Sequence, residues 1–240
     1  MARKQGSVKQ KSLSVSKARF AARKVKVWSI AYRPGPHSKS LSVPLGFALR
    51  ELLGLSKNSK ETRFLLNSGK VLVDGRARNS RNFPIGLFDI IELEGLKKAF
   101  RAVIDTKGRI RLAELKSKER TKLCRIEGKK AAKGKRVLLS TNDGRNFLEN
   151  STSLKPGDSV IVQLPEQKII KEMPLEKGSL VLLLSGKHTG KTASIISIMP
   201  GSMRKEPLLT LKQNGKEFQT VARNVFVIGK EKPETELFES

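Results

Sequence analysis

Residues 42–76 read SVPLGFALRELLGLSKNSKETRFLLNSGKVLVDGR, and this stretch decides the architecture. Leu45, Ala48, Leu49, Leu52 and Leu53 recur at i, i+3, i+4, i+7 and i+8, which lays apolar side chains along one helix face. Ser42 and Pro44 suit the start of that helix and Gly54 its end. A second helix is expected after Asn58, which stands three residues before Glu61 as in a capping box; Leu65 and Leu66 give its apolar face, and Gly69 stops it. The pair leads into a hairpin over residues 70–76, because Asp74-Gly75 supplies two turn positions that tolerate positive φ.

Beyond this stretch, Pro84, Ile85, Gly86 and the apolar run 87–93 predict one more strand, closing the unit. Its polar faces carry Arg50, Lys57, Lys60, Arg63, Lys70, Arg76, Arg78 and Arg81, so a compact αα-β unit presents a basic surface. From Phe100 the pattern turns to short β runs at 101–105, 109–112, 136–140 and 159–164, the last after a turn at 155–158. Residues 114–135 are highly charged, and 128–135 read as a loop, either a linker or a phosphate-contacting segment. The last third predicts strands at 180–184, 194–199, 208–211, 217–220 and 225–228, the count and spacing of a small barrel. The fold class is α+β, and no internal repeat is visible.

Charge narrows the partner. The net charge is +27, and twelve Lys or Arg precede the first acidic residue, Glu51. A solvated surface laced with ion pairs would interleave the signs, so this distribution points to a polyanion, and nucleic acid is the leading class. Residues 1–22 hold too little apolar surface to offset the ordering of their backbone, about 1–2 kcal/mol per residue, and are expected to form an arm that orders on its partner. Cys124 is the only cysteine, which excludes an intrachain disulfide and a cysteine-based zinc site and suggests a reducing compartment. No secretory apolar core and no membrane-spanning run is present, so a soluble intracellular protein without membrane contact is expected.

The sequence 186–192, GKHTGKT, is the tempting catalytic motif. A phosphate loop needs four residues between its glycines and a helix after it; here there are three, followed by the β-rich 195–198. His37 and His188 lie in loops without a recognisable nucleophile signature. Asp89, Glu92 and Glu94 could pair, yet they also fit the solvated face of a half-exposed strand. No catalytic residue, metal site, cofactor or small-molecule substrate is expected. Aromatic residues make up 5% of the chain, too few for several base-stacking platforms on one face, so recognition through phosphates, 2′-hydroxyls and shape is expected, which points to folded RNA.

Several stretches carry a family resemblance: 33–40 (RPGPHSKS), 71–78 (VLVDGRAR), 83–89 (FPIGLFD), 105–108 (DTKG), 122–124 (KLC), 142–145 (NDGR) and 224–229 (NVFVIG). Over about residues 28–233 the sequence resembles the e-type family of small-subunit ribosomal protein four, of archaea and eukaryotes. The resemblance implies a basic N-terminal extension over 1–40, a helix-pair and hairpin RNA-binding module over 41–96, a central β domain over 97–173, and a KOW-type barrel with a tail over 174–240. It also implies binding to small-subunit ribosomal RNA beside neighbouring small-subunit proteins, in cytoplasmic ribosomes. The candidate RNA-binding residues are then Arg33, His37, Lys39, Arg50, Lys57, Lys60, Arg63, Lys70, Arg76, Arg78, Arg81, Lys187 and Lys191. Ser185 and Ala193 stand where the KOW loop usually has glycine, and an alanine forced to positive φ would be strained.

Two rival classes compete. An RNA-modifying enzyme can carry a similar helix-pair module, but it also needs a larger catalytic fold with a carboxylate in a pocket, and the remaining β units are too small. A KOW-bearing transcription elongation factor would carry a non-basic partner-binding domain, unlike this basic N-terminal half.

Overall fold

A computed structural model of the chain describes residues 9–21, 24–115, 120–134, 136–150, 152–202, 205–213 and 215–230. The first eight residues of the expected arm and the tail after residue 230 lie outside them. The architecture is mostly β with few helices, a mixed α+β fold. It divides into two compact units, Met1–Val103 with Arg109–Lys116, and Ile104–Gly108 with Ser117–Ser240.

In the first unit, β1 (Gln10–Lys11) pairs antiparallel with β2 (Trp28–Ser29). The expected free arm is corrected here, because Val15, Ala18 and Arg19 are buried. The Arg19 guanidinium donates to the Ile30 carbonyl at 2.7 Å and lies 4.2 Å from the centre of the Phe47 ring, so its apolar stem and flat head fill a core site. Burial lowers its pKa from the usual value, and Tyr32 partly offsets that.

Next come β3 (Ser42–Pro44) and a short helix, α1 (Leu45–Phe47), continued by a π-helical turn over Ala48–Leu52. Leu45, Ala48 and Leu49 are buried, as their spacing predicts. Ser42, by contrast, belongs to the strand, opposite Gly86, while Pro44 ends that strand opposite Pro84 and stands at the N-cap of α1, at the helix start as expected. The helix α2 (Ser59–Asn67) starts as expected: the Glu61 carboxylate accepts from the backbone N–H of Lys57 at 2.7 Å and of Asn58 at 3.4 Å. Strands β4 (Val71–Val73) and β5 (Arg76–Ala77) flank a turn with φ of 53° at Asp74 and 75° at Gly75, the two-residue geometry foreseen for Asp-Gly.

The expected single strand after Pro84 is two, β6 (Pro84–Gly86) and β7 (Ile90–Leu93). Phe88 adopts φ of 66° between them, and Asp89 turns back so that its carboxylate accepts from the Gly86 N–H at 2.9 Å. Asp89 and Glu92 are buried, which corrects their reading as a solvated face. Strands β8 (Lys98–Ile104) and β9 (Ile110–Glu114) complete a sheet in the order β5-β4-β7-β8-β9, so the first unit's sheet runs past residue 96.

The second unit contains two five-stranded antiparallel sheets. In the first, β10 (Thr121–Ala131), β11 (Val137–Thr141), β12 (Asn146–Glu149), β13 (Ser159–Gln163) and β14 (Lys168–Met173) lie in the order β12-β11-β10-β13-β14. Thus 128–131, the start of the stretch 128–135 expected to be a loop, is the end of a long strand. Lys129 of that stretch donates to the Thr152 and Leu154 carbonyls at 2.8 and 2.9 Å. In the second sheet, β15 (Leu180–Leu183), β16 (Thr192–Met199), β17 (Leu208–Gln213), β18 (Lys216–Val221) and β19 (Val225–Gly229) lie in the order β18-β17-β16-β15-β19, matching the five predicted runs. Ala193 sits in β16 opposite Val181 and is not among the positive-φ residues, so the anticipated strain does not arise.

A charged cluster lies inside this unit. Lys122 Nζ and Arg145 Nε each stand 3.0 Å from Asp143 Oδ2, and the Thr141 hydroxyl donates to Oδ1 at 2.5 Å. The side chains of Lys122 and Asp143 are 2% and 1% exposed. Burial alone would raise the Asp143 pKa, but Lys122, Thr141 and Arg145 outweigh it and hold the carboxyl below its usual range. These residues come from the 122–124 and 142–145 stretches singled out above, which therefore mark a core rather than a contact surface.

Candidate nucleic-acid interface

Backbone bonds lay the chain on either side of β3 against 81–83: Arg33 N–H donates to the Asn82 carbonyl at 3.0 Å, and at the start of α1 Leu45 N–H donates to Phe83 at 2.8 Å and Gly46 N–H to Arg81 at 2.8 Å. The His37 ring locks the same junction. Its Nε2 lies 3.0 Å from both Asp89 oxygens, with the side chain only 6% exposed. A Cβ on Gly86 would come within 2.2 Å of that ring, so residue 86 must be glycine for the loop to close.

The consequence is a groove of about 1130 Å³. Arg33 and Lys39 from the locked segment, Arg63 from α2 and Arg81 from the turn before β6 line it, together with Asn67, Asn79 and Asn82. None of its described lining residues is acidic. Four cations brought together from three separate segments, with amides between them, suit a string of phosphates: arginine offers a fork that bonds two oxygens and asparagine both donates and accepts.

The remaining candidates fall into three groups. Lys57, Lys60, Lys70 and Arg76 are exposed elsewhere on the first unit. Three others are engaged in the fold. His37 also lines the groove, with its ring held by Asp89. Arg50 is paired with Glu51 at 3.0 Å with its side chain 15% exposed, so its charge is largely offset. Arg78 lies over the Phe83 ring, 4.5 Å from its centre. Lys187 and Lys191 form the third group, exposed on the β15–β16 turn of the second unit. Sequence reasoning missed Asn67, at the end of α2, and Asn79 and Asn82, before β6, since isolated asparagines carry no signal of their own.

The β15–β16 turn is a hairpin connection. Gly190 N–H donates to the Leu183 carbonyl at 2.7 Å, the Thr189 hydroxyl donates to Gly186 at 2.7 Å, and a strand rather than a helix follows. Without a helix N-terminus there is no array of N–H groups to receive phosphates. Calorimetric titration with ATP and GTP should therefore show no binding; micromolar affinity abolished by Lys191→Ala would refute this.

Comparison with known proteins converges on one family. A family model described as ribosomal family S4e matches residues 96–169. The small ribosomal subunit protein eS4 of Methanosphaera stadtmanae is 38% identical over 212 residues, covering 88% of each chain. That of Archaeoglobus fulgidus is 34% identical over 221 residues, covering 92% of this chain and 93% of its own. The crystal structure of the 30S ribosomal protein S4e from Thermoplasma acidophilum matches with a TM-score of 0.68 at 29% identity, over 79% of this chain and 96% of that one.

Proposed function

The chain belongs to the S4e family of ribosomal proteins, which makes it a structural constituent of the small subunit and not an enzyme, and we propose that it grips small-subunit ribosomal RNA through the groove formed by Arg33, Lys39, Arg63 and Arg81. The observation that carries this is the convergence of those four cations on one surface without an acidic residue. Lys57, Lys60, Lys70 and Arg76 extend the electrostatic footprint around it. His37, Arg50 and Arg78 act as positioning residues that hold the loop and helix in place.

In this reading the module at residues 41–96 is the principal RNA-binding part, with its sheet continued into β8 and β9. The stretch 97–173 supplies the central β domain. The sheet of β15 to β19 is a KOW-type barrel whose turn, bearing Lys187 and Lys191, makes a second, smaller contact. The protein resides in cytoplasmic ribosomes beside neighbouring small-subunit proteins. Among the described residues no helix is long and apolar enough to cross a membrane.

Co-sedimentation with small subunits through a high-salt wash tests the placement, and loss of the protein into the supernatant would contradict it. A mutant pair tests the face. Arg63→Ala should weaken binding to an RNA fragment by roughly tenfold or more, the worth of a charge-assisted hydrogen bond, and by more than Lys191→Ala. The reverse order in filter binding at matched salt would move the principal contact to the β15–β16 turn.

A further inference from the structure

Phe64 is the one large apolar side chain of α2 turned to solvent, 76% exposed. Lys60, Arg63 and Phe64 stand at i, i+3 and i+4 and so share a helix face. Phe64 also borders a shallow depression with Leu55, Leu65, Lys60 and Glu61. Glu61 turns its carboxylate to the backbone N–H groups of Lys57 and Asn58. The residue before Phe64, Arg63, lines the basic groove.

We propose that Phe64 is the stacking platform for an unpaired base of the RNA that the groove holds, a proposal that rests on the RNA reading above. An aromatic face accepts any base, because every base has a π-face, and binding there removes both the ring and the base from water. The surroundings favour a base over a protein side chain. Lysine is depleted in the buried cores of protein interfaces, and one ring beside Lys60 and Arg63 is too small and too cationic to seed one. RNA is recognised where unstacked bases lie on aromatic side chains while the backbone is held by cations, and here the two requirements fall on adjacent residues.

The test uses the full chain and small-subunit ribosomal RNA transcribed and folded without other proteins, with affinity measured across a salt series. Phe64→Ala should reduce affinity by roughly 5- to 150-fold without changing the salt slope, since no phosphate contact is lost. Arg63→Ala should lower the slope by about one. Phe64→Tyr should stay near the unaltered protein, and Phe64→Leu should resemble Phe64→Ala. Unchanged affinity for Phe64→Ala beside a weakened Arg63→Ala overturns the platform and leaves the RNA reading intact. If Arg63→Ala is also silent, the RNA face itself fails and the platform with it. Full affinity for Phe64→Leu, or a defect in Phe64→Ala seen only when the neighbouring ribosomal proteins are present, overturns stacking in favour of an apolar protein contact. Circular dichroism should be the same for all variants, because the ring is exposed and alanine favours helix more than phenylalanine does.

Discussion

Affinity for small-subunit RNA should fall by roughly 10³- to 10⁵-fold between 50 and 200 mM salt if six to ten phosphates are contacted, taking the behaviour of duplex DNA as the guide. The source of the effect is release of counterions condensed on the RNA, about one for each phosphate that a lysine or arginine neutralises. On the proposed reading Arg33, Lys39, Arg63 and Arg81, which line the groove, would supply four such contacts. The exposed Lys57, Lys60, Lys70 and Arg76 make up the number from the same unit. The net charge of +27 adds long-range attraction, which salt also screens. Each groove cation removed should take about one unit from the slope of log affinity against log salt. A nearly flat titration would mean that binding is carried by something other than phosphates.

Replacing Asp143 by Asn should destabilise the second unit by about 3–5 kcal/mol, because it removes the anion that the buried Lys122 charge meets at 3.0 Å. Asp143 accepts from Lys122, Arg145 and Thr141 at once, and an amide in its place cannot serve all three as an anion does. The exposed pair of Lys168 and Glu166, 75% and 53% exposed, is the control: Lys168→Ala should change stability by less than about 1 kcal/mol. Urea denaturation of the two variants separates these cases, and equal midpoints would remove the cluster from the account. The pH dependence follows from the sign of the shift. The folded carboxyl titrates below its usual range, so its contribution is complete above about pH 4, the unfolded value, and is lost as pH falls through the folded pKa. The gap between the unaltered protein and Asp143→Asn should therefore narrow in acid.

Local chemistry was legible in the sequence wherever it is self-contained. The Asn58–Glu61 start of α2, the Asp74-Gly75 turn and the five strands after residue 179 depend on residues close together in the chain, and all are present. What escaped notice depends on distant partners. The end of strand β10, 128–131, looked like a loop because it is charged and carries a glycine, yet it pairs with 137–140 of β11, and Lys122 earlier in the same strand is buried where it meets Asp143 from the turn after β11. The reversal at Phe88 has no glycine to announce it, and is accompanied by Asp89 bonding to Gly86 and to His37, 52 positions away in the chain. The same pairing makes His37 a clamp on that turn, which its place in a basic loop did not announce. For the interface, the sequence offered the cations as a class, and the fold separates the four in the groove from Arg50, already paired with Glu51. Arg19 was invisible for the opposite reason: in a run of basic residues nothing distinguishes the one that turns inward.

The claim that the first unit's groove is the RNA-gripping face is tested most directly by ultraviolet crosslinking of intact small subunits followed by mass spectrometry of the peptides left carrying nucleotides. Crosslinked nucleotides should map to the segments 33–39, 60–67 and 79–82. Crosslinks confined to 187–191, with the groove segments recovered unmodified, would contradict it.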